Sequence, residues 1–417
     1  MADGTVVDII SFDTGTGLDV IQLGSGATAT AVTTPDSEHN AKETYVCQLE
    51  NGGGSLKNSF TSLLTHTAST KWWTLGFKIR FDDLTPVSYL ICRILQTGGS
   101  DWELFVDSSG DGLLLKDSVG GTIGTASNVL TADTWHTIEI KWKKAASTDI
   151  NLWVDGSDTP DITGSSKDLD HSNSTFTPEF QNDISIAYNL DIWFGTTYLK
   201  EDTGGAIDTN DTRLLDWTSF GATWAHSADI TGGPADAPSP GAWTDTDDLP
   251  RNDTSKARYS CSGVETKTGG YSRTGPNVDG GTLIDNEMVG VLWHWRYETY
   301  GANKFGLTRP TFAPVYGFHG TATSDGTTTG AATIQTTGKR HLSVVQDKTG
   351  SQFPNDADDY LQIGMQAERE PFEADGNVDL YDCWTIILHK ESAAGVLGLV
   401  NDRNLVNGFI VDGGLVG

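Results

Sequence analysis

Two segments of this chain alternate apolar and polar side chains residue by residue, a period that fits a half-buried strand and that no helix satisfies. In Trp73-Thr-Leu-Gly-Phe-Lys-Ile-Arg-Phe81, the side chains of Trp73, Leu75, Phe77, Ile79 and Phe81 share one face, and Thr74, Lys78 and Arg80 take the other. In Trp135-His-Thr-Ile-Glu-Ile-Lys-Trp142 the two sets are His136, Ile138, Ile140 and Trp142 against Trp135, Thr137, Glu139 and Lys141. Ile150-Asn-Leu-Trp-Val154 then runs into Asp155-Gly156, a dipeptide that turns a tight hairpin.

The same grammar recurs in Tyr45–Leu49, Tyr89–Leu95, Trp102–Val106 and Leu113–Leu115, with Gly, Asp and Ser between the runs. Glycine occurs 48 times and methionine 3 times in 417 residues, which fits many short strands joined by turns and argues against long helices. The predicted fold is all-β, an antiparallel β-sandwich. The chain is too long for one such unit, so two are expected. Residues 1–198 form the first and 199–390 the second, with Lys200–Asp211 read as a loop and residues 225–260, which hold Pro234, Pro238, Pro240 and Pro250, as irregular chain. Met288–Tyr297, with Trp293 and Trp295 on one side and Leu292 on the other, reads as a strand buried on both faces. Further strands are expected in 305–325, 341–345, Tyr360–Met365 and Leu380–Leu388. Residues 391–417 are an apolar tail expected to dock on the domain or on a neighbouring subunit.

Charge limits the partners. Against 27 Lys and Arg stand 56 Asp and Glu, a net of -29, the wrong sign for sustained contact with a phosphate backbone, so no nucleic-acid partner is expected. No run approaches the roughly 18 apolar residues of a membrane span, and the first residues lack a basic start and apolar core, so no membrane insertion and synthesis in a cytoplasm are expected. Cys47, Cys92, Cys261 and Cys383 stand singly and are expected to be buried free thiols.

The pair "TWHTIEIKW" and "INLWVDG" resembles the two central strands of laminin-G and concanavalin A-like domains, over about 180 residues. Farther on, "LDIWFGTTYLKEDTGGAIDTND", "DDYLQIGMQ" and "LYDCWTIILHK" resemble strands of tailed-bacteriophage virion structural proteins. A double Asp that those proteins carry before the aromatic strand is here only Leu190-Asp191. The resemblance implies a structural component on the outside of a bacteriophage particle, either capsid decoration or tail-associated. Its partners would be other virion proteins of the capsid or tail and further copies of itself in a homo-oligomer.

Candidate chemistry is sparse. Jelly-roll glycosidases need two carboxylates on one face, and the E-x-D-x-x-E run that would supply them is absent. Glu139 reads as a solvated strand residue, and no nucleophile motif is present. No catalytic residues and no enzymatic activity are therefore expected. Asp107-Ser-Ser-Gly-Asp-Gly112 has a calcium-loop look, but its twelfth position is Ser118, and it reads as a hairpin turn. No cofactor is required, although calcium could be held by Asp202, Asp208 and Asp211 or by Asp245, Asp247 and Asp248. Trp243 and Tyr271 are the candidate rings for stacking on a host-surface glycan, whereas Trp135, Trp142, Trp153, Trp293 and Trp295 read as core. The alternative to a virion role is a soluble carbohydrate-binding lectin or adhesin; a polysaccharide-active enzyme is the third reading.

Overall fold

The computed structural model describes residues 5–12, 21–23, 29–35, 45–50, 58–62, 65–67, 71–96, 99–157, 159–170, 175–184, 190–202, 215–220, 225–227, 257–261, 265–274, 277–278, 281–282, 288–301, 311–319, 340–347, 360–369 and 376–390. All regular structure among them is strand. Sixteen strands occupy the first half: β1 Thr5–Ile10, β2 Ile21–Leu23, β3 Thr30–Thr33, β4 Tyr45–Leu49, β5 Asn58–Ser62, β6 His66–Thr67, β7 Trp72–Phe81, β8 Tyr89–Gln96, β9 Gly99–Val106, β10 Leu113–Asp117, β11 Thr122–Ala126, β12 Trp135–Lys143, β13 Thr148–Val154, β14 Ile162–Lys167, β15 Thr175–Asn182 and β16 Ile192–Asp202.

They form two eight-stranded antiparallel sheets. The first runs β14-β13-β12-β7-β16-β4-β3 with β1 also on β16, and the second runs β11-β10-β9-β8-β15-β5-β2 with β6 also on β15. Hairpin neighbours such as β9-β10-β11 and β12-β13-β14 are joined by pairs distant in sequence, as in the insertion of β16 between β7 and β4, so the strands weave between two layers as a jelly roll does. The alternation read in the sequence sets the layer between them: Trp73, Leu75, Phe77, Ile79 and Phe81 face Trp142, Ile140, Ile138 and His136 across the β7–β12 ladder. The rings interlock in this layer. Phe60 stacks on Phe180 at 4.9 Å and meets Phe12 and Phe194 edge-on, while Trp102 meets Trp142 edge-on at 5.3 Å. Cys47 and Cys92 are buried free thiols here, and burial pushes both well up from the ordinary range.

Turns follow the predicted chemistry. Asp107 accepts the amides of Ser109 and Gly110, so the Asp107–Gly112 segment is a hairpin turn tied by its own carboxylate. At Asp155-Gly156, Asp155 adopts φ 51° and its Oδ1 accepts the Thr137 amide at 2.8 Å. Its Oδ2 lies 2.8 Å from His136 Nδ1. His136 Nε2 accepts the Thr131 amide at 2.8 Å, so Nδ1 carries the proton and donates it to Asp155. Both ring nitrogens are thus engaged in joining strand to turn.

The outer face of the second sheet carries a charge ladder in which Arg93 and Glu103 are partly exposed and Glu179 is buried. Arg93 donates to Glu179 at 2.5 Å and lies 3.8 Å from Glu103, and Lys116 sits over the Phe105 ring at 4.3 Å.

Eleven strands are described in the second half: β17 Leu215–Phe220, β18 Ala225–Ser227, β19 Ala257–Cys261, β20 Glu265–Thr274, β21 Asn277–Val278, β22 Gly281–Thr282, β23 Met288–Gly301, β24 Thr311–His319, β25 Arg340–Asp347, β26 Tyr360–Arg369 and β27 Gly376–Lys390. One sheet runs β17-β27-β23-β25 with β19 on β27, another β18-β20-β26-β24, and β21 pairs with β22. Leu292, Trp293 and Trp295 are buried, so both faces of β23 are covered, as its alternation predicts. The segment read as a loop from Lys200 is corrected in part, because β16 continues through Asp202 against β7. The tail 391–417 lies outside the described residues.

Truncating Phe60 removes a ring with no exposure and three ring partners, whereas Phe105 is half-buried on the outer face. Phe60→Ala is expected to cost about 3–5 kcal/mol in urea unfolding, and Phe105→Ala well under half of that. Equal losses would mean that the core does not lie between these sheets.

Candidate functional site

The outer face of the first sheet differs from that of the second. The register places Glu139 opposite Gly76 and Trp153, Lys141 opposite Thr74 and Asn151, and Lys78 opposite Thr137. On the other side of β7, Tyr198 pairs with Gly76 and Lys200 with Thr74. A bulge in β16 makes this face possible: the register shifts between Phe194 and Thr197, so Trp193 and Tyr198, five residues apart, emerge on the same side. In an unbroken strand they would point oppositely.

These groups are closed off from water. Lys78, Lys141, Lys200 and Glu139 are 6, 2, 6 and 3 % exposed, and each is engaged in polar contacts. Burial of cations is tolerable only when they are paired, so the face is an interior surface rather than a solvated one. Glu139 is corrected accordingly: it is a buried carboxylate that accepts the Tyr198 hydroxyl. The Tyr198 ring lies over Gly76, where a Cβ would meet its Cζ at 2.1 Å, so glycine is required for the phenol to reach across β7. Burial first, and the Glu139 charge second, hold that phenol well above the usual tyrosine range. Chemically, the set is a proton donor held by a carboxylate among ammonium groups.

The face opens at its two ends. At one, the row Trp135–Arg80–Trp193–Gln48 crosses four strands. Arg80 donates to Asp133 at 2.6 Å, and its guanidinium carbon lies 4.9 Å from the Trp193 ring centre. Gln48 donates to Asp191 at 2.9 Å. Trp135 and Trp193 are half-buried, so Trp135 belongs to this rim and not to the core. Trp153 is buried, but on the outer face beside Glu139. At the other end, Trp72 and Lys143 pair across β7 and β12 beside an open pocket.

Of the residues singled out by sequence, Tyr271 lies within β20, paired between His226 of β18 and Ile363 of β26. Asp202 ends β16 opposite Trp72. Trp243, Asp208, Asp211, Asp245, Asp247 and Asp248 lie outside the described residues. Among the described residues, no group of three or more His, Cys, Asp or Glu side chains is arranged to hold a metal ion. The rim row and the Tyr198–Glu139 pair were not singled out, because each joins residues that are far apart in sequence.

No protein-family model and no curated protein matches the chain. Solved structures do match it. An endo-β-1,4-glucuronan lyase from Trichoderma reesei is 14% identical, with 43% of this chain covering 90% of that one at a TM-score of 0.33. Alginate lyase vAL-1 from Chlorella virus is 12% identical, over 47% and 99% of the two chains, at 0.35. A glycosyl hydrolase family 16 protein from Mycobacterium smegmatis is 14% identical, over 46% and 99%, at 0.31. The expectation of a chain without enzymatic activity is corrected by this finding, since the matched jelly rolls are lyases and glycosyl hydrolases by name. The physical reason is that a missing E-x-D-x-x-E run excludes one carboxylate arrangement on one strand, while a jelly roll can assemble reactive groups from several. Likenesses this distant assign no reaction and no substrate.

Gly76→Ala is expected to cost about 1–3 kcal/mol in chemical denaturation by driving the Tyr198 ring off Glu139. Tyr198 also imposes a pH dependence. Its phenol binds its proton more tightly folded than unfolded, so its stabilising contribution is complete below the unfolded value of about 10 and is lost as pH rises beyond it. The urea midpoint is expected to fall above that pH, and to fall less steeply in Tyr198→Phe. Identical pH profiles for the two proteins would remove Tyr198 from this role.

Proposed function

We propose that this chain engages carbohydrate polymers along the outer face of its first sheet, entering at the Trp135–Arg80–Trp193–Gln48 rim. The observation that carries this reading is the contrast in exposure: two tryptophans stay half-open at the rim of a face whose central charged groups, Lys78, Lys141, Lys200 and Glu139, are buried. A half-open indole offers a flat apolar surface to the C–H face of a sugar ring, while a guanidinium and a side-chain amide beside it can fix the hydroxyls. Behind the rim, the Tyr198 phenol, bonded to Glu139, is the group that would move a proton if the bound polymer is cleaved. Reaching it requires displacement of whatever covers the face.

The finer placement, on the outside of a bacteriophage particle beside capsid or tail proteins and in a homo-oligomer, is supported by the sequence resemblance over residues 190–388. Trp243 and Tyr271 for glycan, and the acidic residues from Asp202 to Asp248 for calcium, remain part of that proposal.

Affinity electrophoresis in gels containing neutral and uronate polysaccharides tests the rim. Trp193→Ala is expected to bind about tenfold more weakly, a change of roughly 1.4 kcal/mol, with unfolding unchanged; wild-type retardation in that variant would sink the reading. Product release, followed as reducing ends and as unsaturated uronate absorbance, separates cleavage from binding, and Tyr198→Phe is expected to abolish any that occurs. For the particle, mass spectrometry of purified virions should find the chain at a fixed ratio to the major capsid protein, and its absence would end that placement.

A further inference from the structure

We infer that the open pocket at the opposite end of the same face is a second sugar-binding site, built for a single neutral ring and independent of the rim. Trp72 and Arg80 are eight residues apart on β7, about 26 Å at the rise of a strand, so one sugar ring cannot touch both ends. The pocket measures about 230 Å³. That is room for roughly seven or eight waters at about 30 Å³ each, and it is smaller than the roughly 300–1,000 Å³ of sites that enclose larger organic ligands.

Its lining is saccharide chemistry. Trp72, half-buried, supplies a flat apolar wall. Ser147, Thr148 and Ser166 supply hydroxyls, Asp149 a carboxylate able to bridge neighbouring sugar hydroxyls, and Lys143 an ammonium donor. One cation against one anion leaves the lining without net charge, which favours a neutral ring over a uronate.

The backbone of one wall is strained where the pocket forms. Four described non-glycine residues have positive φ: Asn128, Asp133 and Asp155 are of types that tolerate it, but Ser166, at 53°, is not. Ser166 sits in a bulge of β14, where the register with β13 shifts between Thr148 and Ile150 so that Ser165 and Ser166 oppose Asp149 alone. The bulge and the left-handed residue together shape the wall against which Asp149 stands. A strained residue of this kind persists where the surrounding structure over-determines it, and such residues cluster at ligand sites.

The test is fluorine NMR of the full chain labelled with 5-fluorotryptophan. The Trp72 resonance is assigned by its loss in Trp72→Phe, the Trp193 resonance by its loss in Trp193→Phe, and the protein is titrated with the methyl glycosides of glucose, galactose, mannose and N-acetylglucosamine, and of glucuronic acid. A saturable shift of the Trp72 signal with at least one neutral glycoside is expected, weakened at least about fivefold in Asp149→Asn, a difference of roughly 1 kcal/mol. No saturable shift at Trp72 overturns the site, and a shift with the glucuronide alone overturns the neutral-ring assignment. A shift at Trp193 without one at Trp72 overturns this inference while leaving the rim reading in place; the reverse pattern separates the two in the other direction.

Discussion

The ladder between β7 and β12 is the constraint on which the rest of the first sandwich depends. It runs without interruption from Trp72↔Lys143 to Arg80↔Trp135, and it sorts the residues of both strands to one face or the other. Because the period is two, a slip of one residue would exchange the entire set, placing Lys78, Arg80, Glu139 and Lys141 in the apolar layer. The penalty for burying those charges without partners is far larger than any gain the slipped hydrogen bonds could return. The apolar layer therefore fixes the register, and the register fixes the outer face: its buried centre, its rim at Arg80 and its pocket at Trp72 are successive positions along the same two strands.

What could be read in advance was whatever this period writes locally. The strands, their faces, the Asp155-Gly156 turn and the burial of Cys47 and Cys92 follow from residues adjacent in sequence. What could not be read depends on chain that returns from a distance. The β16 bulge has no signature in Trp193-Phe-Gly-Thr-Thr-Tyr198 beyond a glycine, yet it decides that Trp193 and Tyr198 share a face. Glu139 looked solvated because its neighbours in sequence alternate as an amphipathic strand should; its burial comes from Tyr198, 59 residues on, and from the cover over the whole face. Trp135 and Trp153 were counted as core because tryptophan in an alternating strand usually is, but both lie on the side away from the apolar layer.

The same distinction explains why the expectation of an inert chain was unsafe. Motif reading finds reactive groups when one strand or turn carries them all. A sandwich distributes them, so that Glu139 of β12 and Tyr198 of β16 meet across β7, with Gly76 as the gap that admits the phenol. A buried pair of that kind leaves only an isolated Glu, an isolated Tyr and a glycine within a strand. Glycine inside an otherwise apolar, β-branched and aromatic run is the one local trace, since it weakens a strand unless something packs closely over it.

The contrast between the two outer faces gives this arrangement its physical meaning. On the second sheet, Lys116, Glu103, Arg93 and Glu179 alternate in sign across four strands, and Arg93 pairs with the carboxylates on either side of it. On the first sheet, Lys78, Lys141, Lys200 and Glu139 are all shielded from solvent and each is engaged in polar contacts. Buried cations of this kind are stable only with acceptors in place around them. Any polymer that reaches Tyr198 must therefore compete with acceptors already in place, whereas Trp193 and Trp72, at the open ends, can be contacted without that competition. Recognition at the ends is then energetically separate from access to the centre, and only the second carries the cost of displacing the cover.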